Sequence, residues 1–220
     1  GINFLAGGNF GRTILDAHGS QAIHAERLKF IYEEQLSKAN VDFFYMSRLI
    51  AVGINEGEIR QAIFSSPGGL FAVESKVFID GTGDGTLAFL SGAAFTISEE
   101  CMPATLCSLW TGVDFERYQK GVAFSHNDEI MLDKLEEAFR NGMLSSEDYH
   151  HTGFVRQSPF LAGANISHVF QVNAADEGSL TKALVESRKL LREYENFYRS
   201  CIEGFEDAEI VDSGSLLGVR

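Results

Sequence analysis

Residues 80–86, with the sequence DGTGDGT, gather two aspartates, two threonines and three glycines in seven positions. Carboxylates at this density can bind a metal ion or attack phosphorus, whereas glycines let a backbone approach a ligand closely. The short apolar run KVFID leads into the turn, and the small-residue run up to Phe95 follows it. This pattern predicts a strand buried in a parallel sheet, then a turn, then a helix.

One interpretation of the turn is a calcium-binding loop. Asp80, Thr82 and Asp84 occupy the first, third and fifth positions of the EF-hand spacing, and Gly85 occupies its turn position. The twelfth position, which requires a bidentate Glu, is Ser91, and the preceding element is a predicted strand instead of a helix. We therefore predict that calcium does not bind usefully here and that the chain holds no metal.

A second interpretation is a phosphatase of the haloacid dehalogenase type, because an apolar strand ending in Asp before DGTL resembles the nucleophile loop of that family. There, two aspartates stand two residues apart, so that one attacks phosphorus while the other handles the proton at the same magnesium. Asp80 and Asp84 are four residues apart. The longer spacing should take the second carboxylate out of reach of the first.

A third interpretation assigns the turn to a dinucleotide. At the carboxyl end of a parallel strand, residues without a Cβ allow close approach of a ligand, and the next helix presents free N–H groups to a phosphate or a polar edge. A tight turn that binds nothing remains an alternative, because glycine turns are common and GxG alone is weakly specific.

The run VFIDGTGDGTLAFLSGAAF resembles a signature of the FAD-dependent oxidoreductase family, which shares the two-dinucleotide-binding-domain flavoprotein fold. The order of the neighbouring elements agrees, and GFEDAEIVDSGSLLGVR is similar to the family's Gly-Phe-Glu segment and Gly-Val-Arg motif. The resemblance implies FAD as cofactor, held by Thr82, Gly83, Asp84 and Gly85. It also implies that the backbone near Leu49 meets the adenine end.

The same resemblance implies a parent protein in which FAD carries hydride between a small organic substrate and a second electron donor or acceptor. His168, on a predicted strand, is a candidate to handle a proton or anchor a carboxylate, and Arg220 is a candidate to stabilise anionic reduced flavin. A hydrogen-bonded core histidine and a surface salt bridge are the alternatives for these two residues. The competing class of function is a non-enzymatic or truncated module that binds no flavin.

The chain departs from the family pattern at its N-terminus, where a strand and a GxGxxG turn for the pyrophosphate should stand. The sequence FLAGGNFGRT offers Gly7, Gly8 and Gly11, but RTILDAHGS after it is a poor helix. We therefore predict a loop on the flavin side. We also expect the chain to be a fragment that binds FAD weakly or not at all, is inactive in isolation and self-associates.

Composition limits the partners. Lys plus Arg number 18 and Asp plus Glu number 31, which gives a formal net charge of −13 and no basic surface for nucleic acid or an anionic membrane. No apolar run approaches the ~20 residues of a membrane span, and the first residues lack the basic segment followed by an apolar one that a signal sequence has. These features predict a soluble, cytoplasmic protein.

The cysteines and the paired histidines give no strong signal. Cys101, Cys107 and Cys201 are odd in number and lack CxxC spacing, which argues against a disulfide framework or a zinc knuckle. The adjacent His150 and His151 should point in different directions, so a solvated loop is favoured over a metal site.

Together these patterns predict an α/β fold: a partial doubly wound, Rossmann-like FAD-binding domain with a β-meander insertion in residues 1–95, and a mixed α+β substrate domain in residues 96–220. The predicted elements are a helix from Ser20 to Asn40, a strand at VDFFYMS, meander strands at RLIAVGI, EIRQAIF and LFAV, strands at ATLCSLWTGVD and GANISHVFQVN, a helix at NDEIMLDKLEEAFRNG with Asn127 as N-cap, and a long helix from Ser179 to Ser200.

Overall fold

The computed structural model describes residues 8–19, 24–96, 102–118, 129–149 and 154–219. The elements in these residues are, in chain order, α1 (Gly8–His18), α2 (Ala25–Lys38), β1 (Arg48–Asn55), β2 (Glu58–Ser66), β3 (Gly69–Glu74), α3 (Thr86–Leu90), β4 (Ser108–Thr111), α4 (Glu129–Arg140), β5 (Phe154–Ser158), β6 (Leu161–Ala164), α5 (Glu177–Cys201) and β7 (Glu209–Ser213). The mixed α/β class predicted from the sequence is confirmed.

The chain divides into two compact units. The first comprises Gly1–Tyr32 and Glu100–Arg220, and the second, which we call the meander unit, comprises Glu33–Glu99. The first unit therefore combines the N-terminal residues with the C-terminal part of the chain. The assignment of residues 1–95 to the cofactor and of residues 96–220 to a substrate concerns function, and it stays a prediction.

The meander unit contains a three-stranded antiparallel sheet in the order β1-β2-β3, as the sequence predicts. Glu56 and Gly57 connect β1 to β2, and both have positive φ, which is the conformation of a tight hairpin turn whose twist matches the strands. The stacked rings of Phe64 and Phe71 join β2 to β3 across one face. The short helix α3 packs against β1.

Two predicted strands of the meander unit do not form. VDFFYMS, residues 41–47, is irregular, and so is KVFID, residues 76–80. Val77 and Ile79 are 72% and 89% exposed, although a strand within a parallel sheet would bury both. Among the described residues no strand pairs with residues 76–80, and both described sheets are antiparallel. An apolar run forms a buried strand only when neighbouring strands supply its hydrogen bonds.

The loop predicted at the N-terminus is wrong for the described residues, because α1 begins at Gly8 and includes the second half of FLAGGNFGRT. Ile14 is buried and packs with Leu28 and Ile31 of α2, so tertiary contacts override a poor helix propensity. The helix predicted over residues 20–40 is confirmed as α2, while its predicted cap, Ser20, lies outside the described residues.

The first unit contains a four-stranded antiparallel sheet in the order β5-β6-β4-β7. Its core is aromatic: Phe154 of β5 lies 5.1 Å from Trp110 of β4 and 4.7 Å from both Tyr198 and Phe205, measured between ring centroids. These rings meet edge-to-face or tilted, the arrangement that aromatic quadrupoles favour. The fully buried cluster fixes the sheet against α5.

The helices of the first unit follow their sequence signals. The helix α4 ends before Asn141-Gly142, with Gly142 at φ +76°, and α5 begins after Asp176, whose side chain accepts a hydrogen bond from the N–H of Ser179. The predicted cap Asn127 lies outside the described residues. None of the described helices combines the length and the apolar character that crossing a membrane requires.

The strand predictions for the first unit are partly wrong. ATLCSLWTGVD forms the shorter β4, preceded by isolated bridges at Ala104 and Thr105, and GANISHVFQVN is irregular after β6 ends at Ala164. The strands β5 and β7 carry no clear sequence signal. Their residues are held by pairing with distant strands, which local periodicity does not reveal.

Candidate functional site

The glycine-rich turn is organised by the carboxylate of Asp80. Its Oδ1 accepts hydrogen bonds from the N–H and hydroxyl of Thr82, at 3.1 and 2.7 Å, and its Oδ2 accepts one from the N–H of Ala88 at 3.0 Å. The hydroxyl of Thr82 in turn accepts a hydrogen bond from the N–H of Thr86 at 2.9 Å. Asp80 therefore acts as a cap for α3 from a position six residues before the helix.

These hydrogen bonds lower the pKa of Asp80. The largest contribution is the hydroxyl of Thr82, followed by the backbone N–H groups of Ala88 and Thr82, because each donor stabilises the charged form. The group is exposed to solvent, so the lowered pKa identifies a well-satisfied anion and does not measure its contribution to folding.

The same network corrects one sequence prediction. We expected the helix after the turn to offer free N–H groups to a phosphate, but those of Thr86 and Ala88 already donate to Thr82 and Asp80. The helix α3 also has only five residues, too few for a substantial dipole. With Asp80 and Asp84 adding negative charge, the turn is a poor phosphate site, and the polar-edge alternative remains.

The backbone of the turn is open to a ligand. Gly83 and Gly85 have φ of +80° and +68°, values that residues with a Cβ rarely adopt. A Cβ built on either glycine would meet nothing within 4 Å. Among the described residues, none accepts a hydrogen bond from the N–H groups of Gly83, Asp84 or Gly85. We call residues Gly83–Gly85 the glycine edge. Its N–H groups have no acceptor among the described residues and the space in front of it is open, so a cofactor could approach it closely.

Leu49 lies in the same unit as the turn. It is half-buried on β1, pairs with Phe64 of β2 and precedes a bulge at Ile50, and α3 packs against the same strand. The structure therefore brings the strand of Leu49 together with the helix that follows Thr82–Gly85. Contact of this backbone with adenine stays a prediction.

His168 lies in the first unit and is paired with a carboxylate that the sequence patterns did not single out for this role. Its Nδ1 is 2.5 Å from Oδ2 of Asp148, and the two residues are 6% and 2% exposed. The segment is irregular instead of the predicted strand. Asp148 was missed because its stretch, SSEDYHH, is uniformly polar, which is typical of a solvated loop.

Tyr194 of α5 belongs to the same buried polar cluster. Burial, followed by the negative charges of Asp148 and Glu193, raises the pKa of Tyr194 far above its ordinary value. A carboxylate at Nδ1 of a histidine orients the ring and selects its tautomer. The pair therefore fixes the imidazole of His168 in place and links two irregular segments in the interior of the unit.

The remaining candidates add little chemistry within the described residues. Arg220, His150 and His151 lie outside them. In the part of the chain that is described, no three His, Cys, Asp or Glu side chains are grouped to hold a metal ion. A shallow cavity of about 290 Å³ is lined by Glu136, Phe139, Arg140, Glu147 and Tyr149, none of which was a predicted site residue.

Comparison with known proteins identifies the family. The chain matches the family described as FAD dependent oxidoreductase over residues 6–220. No curated protein matches the sequence. A solved structure of a triple mutant of the flavin-dependent brominase Bmp2 is similar with a TM-score of 0.46 and 16% identity, over 88% of this chain and 44% of that one. The chain thus spans less than half the length of that protein. Because the family match covers nearly all of its residues, the chain belongs to the FAD dependent oxidoreductase family.

Proposed function

We propose that the chain is part of a flavoprotein oxidoreductase in which FAD mediates hydride transfer between a small organic substrate and a second electron donor or acceptor. The observation that supports this most is the open glycine edge at Gly83–Gly85, within a chain that matches the family over residues 6–220. When bound, FAD supplies the hydride chemistry, and the protein supplies binding and orientation.

In this proposal the meander unit contributes to holding the cofactor. The N–H groups of Gly83, Asp84 and Gly85 face an uncharged, hydrogen-bonding part of FAD, because the carboxylates of Asp80 and Asp84 would repel its phosphates. Asp84 can accept hydrogen bonds from cofactor hydroxyls. The backbone near Leu49 borders the adenine end, and Thr82 contributes through the turn that its side chain helps to close.

The first unit contributes the polar groups that a substrate would meet. His168 holds or transfers a proton at its Nε2, while Asp148 keeps the ring oriented through Nδ1. Arg220, in the Gly-Val-Arg motif, supplies a positive charge for reduced flavin or a substrate carboxylate. The role of Arg220 rests on the resemblance alone, whereas that of His168 rests on the resemblance and on the buried His168–Asp148 pair.

A second candidate function is a module that keeps the architecture and binds no flavin. The observation that favours it is the exposure of Val77 and Ile79 in a run that pairs with no strand among the described residues, where a flavin-binding sheet would require a buried strand. In that case the capped turn is only a structural connection between the meander and α3.

A visible spectrum of the protein purified from its complete reading frame separates the two candidates. Bound flavin absorbs blue light, and we expect it to remain with the protein through gel filtration after incubation with FAD. A colourless protein that also fails to quench added FAD fluorescence would contradict the proposal. For the 220-residue chain alone we expect weak binding or none; tight one-to-one binding by a monomer would mean that its N-terminal residues supply a phosphate site.

A further inference from the structure

We propose that Asp80 is a positioning residue for the cofactor: its carboxylate holds the Thr82–Gly85 turn in the shape that binds FAD and does not itself contact the flavin. The inference rests on the proposed function and assigns a task to a residue that lies outside the predicted set of cofactor contacts. It follows from two properties of the turn, which are the hydrogen bonds of its side chains and the flexibility of its glycine-rich backbone.

Both oxygens of Asp80 act as acceptors. Oδ1 receives the two donors of Thr82, and Oδ2 receives the N–H of Ala88. An asparagine has nearly the same shape, but its NH₂ group can only donate. It would face either the donors of Thr82 or the N–H of Ala88 and could not accept a hydrogen bond from them. Asp80→Asn should therefore break one side of the network while it preserves the volume of the side chain.

The hydroxyl of Thr82 connects Asp80 to the first residue of α3 through two hydrogen bonds. This hydroxyl donates to Asp80, which leaves its oxygen lone pairs directed toward the N–H of Thr86. With its hydroxyl committed to these bonds, Thr82 offers a ligand little beyond its backbone. The predicted contact of Thr82 with FAD is therefore through the main chain.

The turn depends on this network because its own sequence is flexible. Gly81, Gly83 and Gly85 lose more conformational entropy on ordering than any other residue type would. Among the described residues, the side chains of Asp80 and Thr82 are the only ones that hydrogen-bond to the backbone of residues 81–86. A ligand that binds a preorganised turn does not have to order it, so the network contributes to affinity without touching the ligand.

The test compares FAD affinity in matched variants of the full-length protein, titrated with FAD and followed by flavin fluorescence. We expect Asp80→Asn to weaken FAD binding by about tenfold, which corresponds to ~1.4 kcal/mol and lies within the range for the loss of a helix cap. Thr82→Val should weaken FAD binding to a similar degree. Thr82→Ser keeps the hydroxyl, so its affinity for FAD should stay close to that of the wild type.

Asp176→Asn is the matched control. Asp176 caps α5 through the N–H of Ser179, so its substitution also removes the carboxylate cap of a helix. Because the Oδ1 of asparagine can still accept that hydrogen bond, stability should fall only through the lost negative charge at the helix N-terminus, while the affinity for FAD remains close to wild type. Thermal unfolding of each variant shows that the protein is folded under the conditions of the titration.

The outcomes separate the inference from the proposed function. If wild-type protein binds FAD and Asp80→Asn binds it equally well, the positioning role is wrong although the function stands. If Thr82→Ser binds FAD as weakly as Thr82→Val, the hydrogen bonds of the Thr82 hydroxyl do not hold the turn in its binding shape. If wild-type protein binds no FAD, the proposed function fails and this inference fails with it. Weakened binding by Asp80→Asn and Thr82→Val, with recovery in Thr82→Ser and an unaffected Asp176→Asn, supports it.

Discussion

Nδ1 of His168 lies 2.5 Å from Oδ2 of Asp148, and both side chains are almost completely buried. The two residues belong to irregular segments that lie before β5 and after β6, so the pair links parts of the chain that the sheet alone does not fix. A buried hydrogen-bonded pair of this kind is costly to break, because the remaining partner stays desolvated. Whatever role His168 has in chemistry, Asp148 determines its orientation.

We predict that Asp148→Asn destabilises the protein by about 1–3 kcal/mol, the range for leaving a buried polar group without its hydrogen-bond partner. The measurement is urea-induced unfolding followed by tryptophan fluorescence, since the single Trp110 lies in the core of the same unit. Asp133→Asn, on the exposed face of α4, is the control and should change the free energy of unfolding by less than about 0.5 kcal/mol. Equal stability of the two variants would show that the pair contributes nothing to the fold.

The raised pKa of Tyr194 predicts a loss of stability at alkaline pH. In the unfolded chain this tyrosine ionises near its ordinary pKa of about 10, whereas burial and the charges of Asp148 and Glu193 keep it neutral in the folded protein. Its contribution is thus fully present below about pH 10 and decreases as the pH rises toward the folded pKa, by up to about 1.4 kcal/mol per pH unit.

Tyr194→Phe tests this linkage. The variant lacks the ionisable group, so its unfolding free energy should fall less steeply with pH than that of the wild type above about pH 10. The difference between the two proteins should be constant between about pH 7 and 9, where a free tyrosine is neutral, and this interval serves as the internal control. Parallel curves throughout the alkaline range would mean that Tyr194 ionises as easily in the folded protein as in the unfolded chain.

We predict that Gly83→Val abolishes FAD binding by the full-length protein with a smaller effect on folding. A valine at φ +80° is strained by at least about 1–2 kcal/mol, and its branched side chain would occupy the open space in front of the turn. Gly57→Val is a matched control, because Gly57 lies in the same unit, has φ +79° and also has nothing within 4 Å of the position that a Cβ would take.

The two valine variants should therefore be destabilised to a similar degree, and only Gly83→Val should lose flavin. The flavin content after gel filtration and the thermal unfolding midpoint measure these two effects separately. If Gly83→Val retains full flavin content, the turn does not approach the cofactor. If Gly57→Val also loses flavin, the loss reflects damage to the unit and not a blocked site.

Local sequence signals predicted the elements whose structure is determined locally. The β meander follows from its alternating strands and glycine turns, and α4 and α5 follow from their apolar stripes and from the Asn141-Gly142 stop. The family resemblance, carried by residues 76–95, was confirmed by the match over residues 6–220. Signals of this kind depend only on neighbouring residues, so they can be interpreted without knowledge of the tertiary contacts.

Features that depend on distant partners could not be predicted in the same way. Asp148 contacts His168, which lies 20 positions further along the sequence, and no spacing rule connects them. The helix α1 forms because Ile14 is covered by α2, which its weak propensity did not suggest. The role of Asp80 was also missed: its position before a glycine turn suggested direct chemistry, while the structure uses one of its oxygens to hold Thr82 and the other to cap α3.

The exposed side chains of Val77 and Ile79 predict that the isolated 220-residue chain self-associates. Val77 and Ile79 are largely exposed, and burying one such side chain contributes about 1.5–3 kcal/mol. Burying both residues of two copies would contribute roughly 6–12 kcal/mol to association. The lost translational and rotational freedom opposes it by about 4–15 kcal/mol, so the two quantities nearly cancel. The expected association is therefore weak and depends on protein concentration.

Sedimentation velocity over a range of concentrations measures this association. The average mass of the wild-type chain should rise with concentration, and the double substitution Val77→Ser and Ile79→Ser should shift the rise to higher concentration because its surface is less apolar. Val185→Ser, which changes an exposed apolar residue on α5, is the control and should leave the rise in place. A wild-type chain that stays monomeric throughout would contradict the prediction, and equal association by all three proteins would place the contact elsewhere on the surface.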